Sequence, residues 1–194
     1  MGKMGEIRLF YECENTKNLL MAEKGGSGST MRVIVHDMPR EQWEKLDLDI
    51  HEDDIVVWDD GSIHPCTGCF GCWFKTPGRC IVPDRYQKMG ENIAKATDWI
   101  LITKNTFGGF SSFTKNVMDR SISYVSPFFT VRDGEMHHAL RYDRMVGFSA
   151  IFYGEDMTQA EKDTAYKLVY ANARNLNGDV KSVKFVSKPD EVTL

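Results

Sequence analysis

Cys66, Cys69, Cys72 and Cys80 follow the spacing C-x2-C-x2-C-x7-C. Thiolates three residues apart in a loop can converge on one soft metal centre, which suits an iron–sulfur cluster or zinc. Gly68 and Gly71 lie between them and allow the tight backbone path that convergence needs. The same thiols could instead be small apolar side chains buried around Trp73. Cluster, zinc and packing all remain open on these residues alone. Other candidates for chemistry are weaker. His137 and His138 are adjacent, so on a strand their rings point apart and do not share a metal. Their segment, Arg132–Asp143, reads as a polar, hairpin-like insertion facing solvent or a second subunit. Asp119-Arg120 reads as an internal ion pair or helix anchor, and Asp53-Asp54 and Asp59-Asp60 as solvated caps at strand ends. The chain contains no G-x-S-x-G and no P-loop.

The elements that must position the cysteines form a regular series. Short apolar runs at Met31–His36, Asp54–Asp59, Trp99–Thr103, Val146–Tyr153 and Val180–Val186 read as strands. A helix is expected from about Asp84 to Thr97, capped by Asp84, with Tyr86, Met89 and Ile93 on one face. Phe113, Val117, Met118, Ile122 and Val125 mark a second helix. Thr158 and Glu161 form a capping box for a third, whose stripe is Ala165, Leu168, Val169, Ala173 and Leu176 and which Gly178 ends. Strands alternating with helices imply crossover connections and a parallel sheet covered on both faces, in the order 2-1-3-4-5. Ligands of such sheets bind beyond the carboxyl ends of the strands, at the switch point. The loops after His36, Asp59, Thr103 and Tyr153 are therefore the places where a ligand is expected.

The chain from Pro65 through Trp73 and Lys75 to Asp84 resembles a family of flavodoxin-fold proteins, the NAD(P)H-dependent FMN reductases and iron–sulfur flavoproteins. The resemblance continues through Asp98-Trp99-Ile100 and through Lys115, Asp119 and Arg120, and covers most of Met31–Asn177. It implies an α/β, flavodoxin-like three-layer sandwich with a five-stranded parallel sheet. It also implies a 4Fe–4S cluster held by Cys66, Cys69, Cys72 and Cys80, and an FMN ring bordered by Asn105, Thr106, Phe107, Gly108, Gly109, Phe110 and Ser111. Phe107 or Phe110 would stack on that ring, and the positive end of the helix starting near Ser112 would favour reduced flavin. The implied activity is an oxidoreductase or electron-transfer protein using NAD(P)H or a redox partner protein, working as a homodimer. One feature departs from this pattern. His36-Asp37-Met38-Pro39-Arg40 follows the first strand, where an FMN binder carries a Ser/Thr/Gly-rich phosphate loop. The alternative is a non-catalytic, flavodoxin-like subunit that has lost this loop and acts as a binding partner.

The formal net charge of −4 and the lack of a basic stripe argue against nucleic acid as a partner. The apolar runs are too short to span a bilayer. No secretory leader opens the sequence, so a cytoplasmic protein with reduced thiols is expected. Residues 1–30, ending in the linker-like Gly25–Thr30, read as an N-terminal arm or an added leader, with one domain at 31–194.

Overall fold

The β-branched runs pair as the central strands of a computed structural model that describes residues 30–194. The N-terminal arm and all of its linker but Thr30 lie outside the described residues. In chain order the elements are β1 (Arg32–His36), α1 (Arg40–Trp43), β2 (Ile55–Trp58), α2 (Gly71–Phe74), α3 (Met89–Lys95), β3 (Asp98–Lys104), α4 (Ser112–Arg120), β4 (Val125–Arg132), β5 (Glu135–Leu140), β6 (Val146–Tyr153), α5 (Gln159–Asn175) and β7 (Gly178–Val186). Five strands form one sheet in the order β2-β1-β3-β6-β7, every neighbouring pair parallel. This is the expected flavodoxin-like order, with the switch point between β1 and β3.

Alternation along the strands divides the core in two. Val33, Val35, Trp99, Leu101, Phe148 and Phe152 face the layer built from α3, α4 and α5. Ile34, Ile100, Ile102 and Ile151 face the other way, where Met38, Trp43, Leu46, Leu48, Val192 and Leu194 cover them. The second layer is thin, because the helix between β1 and β2 has only four residues.

Two helices are shorter than the periodicity suggests. α3 begins at Met89, because the Asp84 carboxylate is committed to the Tyr86 amide and to Arg120 instead of capping a helix. α4 stops at Arg120, and Val125 opens a strand; Pro127 disfavours helix at the residue before it. The insertion is thus longer than its polar part. It is an antiparallel β4–β5 hairpin, closed at Asp133-Gly134 with both residues at positive φ, as the tight hairpin turn requires. The Thr158–Glu161 capping box forms as expected.

His36 ends β1 with only 2% of its surface exposed, its ring stacked 3.8 Å from that of Trp43. Burial lowers its pKa to about 4, and the nearby Asp37 offsets this in part. In the unfolded chain the imidazole takes a proton near its ordinary 6.5. The unfolded state therefore binds more protons between those two values, and stability falls as pH drops from about 6.5 towards 4. The loss from this group is on the order of 3 kcal/mol. Urea denaturation at pH 7 and pH 4.5 should show that component in the wild type, and His36→Phe should remove it.

Candidate functional site

Cys66, Cys69, Cys72 and Cys80 all line one pocket of about 430 Å³. Cys66 and Cys69 are exposed, Cys72 is half-buried and Cys80 is buried. Two exposed thiols argue against packing as the role of the whole set. The chain turns through left-handed backbone at Gly68 (φ 66) and again at Phe70 (φ 57), whose ring stacks 5.5 Å from Trp73. Gly71 serves a different purpose from the one expected: a side chain there would collide with Ile81 at 2.6 Å, so glycine permits close packing of the loop on itself. The Trp73 indole donates to the Val125 carbonyl at 3.0 Å, tying α2 to the hairpin.

The thiols differ electrostatically. The Gly71 amide, with help from the Thr67 hydroxyl, holds the Cys69 thiol below its ordinary range. Burial pushes the Cys72 thiol up, and the neighbouring Cys80 and Cys66 add to that. Among the described residues, no group of three or more Cys, His, Asp or Glu side chains is placed to hold a metal ion. What the loop offers is a set of four soft donors around one cavity, a donor chemistry that fits an iron–sulfur cluster or zinc.

Arg120 closes the loop from behind. Its side chain is fully buried, and it donates to the Cys80 sulfur at 3.1 Å, to the His64 carbonyl at 2.8 Å and to both oxygens of Asp84 at 2.7 and 2.8 Å. One guanidinium thus holds residues on both sides of the cysteine run. Asp119-Arg120, read as an internal ion pair or helix anchor, makes two internal pairs, Arg120 with Asp84 and Asp119 with Lys115 one helical turn away. The signal was present in the sequence. Arg120 falls on the same helical face as Phe113 and Val117, where a charge must find a partner.

Asn105–Ser111 lies elsewhere, and none of its residues lines the cysteine pocket. The loop is tightly hydrogen-bonded within itself. The Thr106 and Gly109 amides each donate to the other's carbonyl, the Gly108 amide donates to the Asn105 side chain, and the Ser111 amide donates to the Thr103 hydroxyl. Phe107 stands 89% exposed, whereas Phe110 is buried and stacked 5.4 Å from Phe152.

At the switch point itself lies Asp37, which the sequence marks only as an acid in the wrong place for a phosphate loop. Its carboxylate accepts from the Tyr153 hydroxyl at 2.7 Å, the Thr103 hydroxyl at 2.9 Å and the Lys104 amide at 2.9 Å. Burial, then Asp37, raises the Tyr153 phenol well above its usual range.

The remaining candidates are structural. His137 is buried between Asn175 and Glu135, and the half-buried His138 packs against Trp73 and Phe129; their rings do point apart, while the turn between them and β4, residues 133–136, is exposed. Asp54 is no solvated cap: its side chain is fully buried and pairs with Arg32. Asp60 accepts from Ser62, Arg85 and Tyr86.

The sheet order and the crossover helices define a flavodoxin-like α/β protein. The chain is 28% identical over 102 residues to an iron–sulfur flavoprotein from Archaeoglobus fulgidus, a match covering 53% of this chain and 48% of the relative, about half the length of each. A provisionally assigned quinone reductase from Klebsiella pneumoniae superposes with a TM-score of 0.50 at 11% identity, covering 84% of this chain and 78% of that one. An FMN-dependent NADH-azoreductase from Bacillus anthracis, solved with FMN, gives a TM-score of 0.47 at 12% identity over 81% of this chain and 85% of the other. No protein-family model matches the chain. Among the described residues, no helix is long and apolar enough to cross a membrane.

Proposed function

We propose that this chain is a flavodoxin-like oxidoreductase whose redox group is a 4Fe–4S cluster held by Cys66, Cys69, Cys72 and Cys80. The observation that carries this reading is the gathering of all four thiols on one pocket. The similarity to an iron–sulfur flavoprotein supports it. A cluster bound there supplies one-electron transfer. The chain's own residues supply the setting. Arg120 fixes Cys80 and places a permanent positive charge beside its sulfur. Phe70 and Trp73 wall the pocket with apolar surface, and hydrogen bonding and solvent exclusion of this kind tune a cluster's potential. NAD(P)H or a redox partner protein is the source of electrons, and Asn105–Ser111 is the loop against which the ring of FMN would lie. A cytoplasmic homodimer completes the reading; exposed apolar residues on the hairpin, Phe129, Val131 and Met136 among them, support the dimer.

A second reading, a subunit that has lost the FMN phosphate loop and acts as a binding partner, is favoured by the short α1 and by Asp37 in the place of that loop. Protein purified without oxygen and analysed for iron, acid-labile sulfide, zinc and flavin distinguishes the two. About four irons and four sulfides per chain are expected with a sulfide-to-iron absorption band. Zinc in their place would defeat the cluster, and no metal together with no flavin would defeat the oxidoreductase reading.

A further inference from the structure

Sheets of this order bind mononucleotides at the β1/β3 switch point, where loop amides and a helix start meet the phosphate. In this chain the groups at that point serve other purposes. α1 is a single turn that opens after Pro39, a residue without an N–H. Met38 is buried in the apolar layer, and Trp43 covers His36. The hydrogen-bond donors at the ends of β3 and β6 converge on one anionic group that belongs to the chain itself. The Tyr153 hydroxyl donates to Oδ1 of Asp37, the Thr103 hydroxyl to Oδ2, and the Lys104 amide to both. Thr103 is fully buried and Tyr153 nearly so. Two hydroxyls and one backbone N–H around one anion are the donors that a phosphate would use. The Ser111 amide, at the start of α4, is turned onto Thr103 as well.

We infer that the Asp37 carboxylate occupies the place of the mononucleotide phosphate, so that this chain grips no flavin phosphate at its switch point. A phosphate brought there would lose its donors to Asp37 and meet a like charge in a partly dry site. The residues present therefore do not fit the phosphate end of FMN. A flavin held at Asn105–Ser111 is held through its ring alone. The inference is independent of the cysteine pocket, since no residue of the Asp37 cluster lines that pocket.

Riboflavin, which lacks the phosphate, is the decisive probe. Fluorescence titrations of the wild-type chain with FMN and with riboflavin should show FMN bound no more than about threefold more tightly than riboflavin, and more weakly where the phosphate meets the Asp37 charge, because the phosphate contributes no favourable contact. Asp37→Ser and Asp37→Gly free the three donors, and each should bind FMN at least about tenfold more tightly than riboflavin. Far-UV circular dichroism checks that both variants fold. A wild-type preference for FMN of tenfold or more would overturn the inference, and that comparison decides the matter even if neither variant folds. Folded variants that gain no preference for FMN would overturn it too, since the donors would then not constitute a phosphate site.

Discussion

Arg120→Met should lower the stability of the chain by about 3–5 kcal/mol, the usual cost of leaving a buried ionic partner uncompensated. The guanidinium is fully buried and the Asp84 carboxylate only one-tenth exposed, so solvent can screen little of what is lost. Removal of Arg120 strands more than the carboxylate. The His64 carbonyl and the Cys80 sulfur lose a donor at the same stroke, and they stand at opposite ends of the cysteine loop. The expected result is therefore twofold: a lower urea midpoint, and faster modification of Cys80 by a thiol reagent. Arg120→Lys should not rescue either measurement, because an ammonium cannot reach a carboxylate, a carbonyl and a sulfur together in the way a planar fork does. Adding Asp84→Leu to Arg120→Met should recover a large part of the stability, since it removes the stranded charge. It should leave Cys80 reactive, because the loop stays unclamped. A loss below about 1 kcal/mol in the single variant would mean that Arg120 merely fills space.

The sheet was legible because its strands are short β-branched runs, apolar at successive positions as a parallel sheet covered on both faces requires. Val33, Ile34 and Val35 alternate between two apolar layers, and the runs at β3 and β6 do the same. Local signals also served where the deciding contact is itself local, as with the Thr158–Glu161 box. They failed where the deciding contact is distant. Asp84 has the look of a helix cap, but its partner lies 36 residues away and shortens α3. Asp54 has the look of a surface acid until Arg32 is placed beside it by strand pairing. The candidate site divides in the same manner. Cysteine spacing allowed the four thiols to converge, because the loop is short, and all four line one pocket. It did not foretell Asp37, whose three donors come from two other strands and meet only when the sheet assembles.

Replacing the cysteines one at a time should separate ligation from packing. If all four hold a cluster, Cys66→Ala, Cys69→Ala, Cys72→Ala and Cys80→Ala should each lose most of the iron and sulfide bound by the wild type. Stability of the metal-free protein, after treatment with a chelator, should not follow that pattern. Cys66 and Cys69 are exposed, so their loss should change it by no more than about 0.5 kcal/mol. Cys80 is buried and accepts from Arg120, so its loss leaves a buried donor without an acceptor and should cost about 1–3 kcal/mol. The two measurements thus rank the cysteines differently, and the difference is informative. Equal iron loss with unequal metal-free stability is the signature of four ligands set on a loop that Arg120 anchors at one end. Full iron content in the Cys66→Ala and Cys69→Ala proteins would remove the exposed thiols from the ligand set. Without them the pocket retains only Cys72 and Cys80, too few to hold a four-iron cluster by thiolates alone.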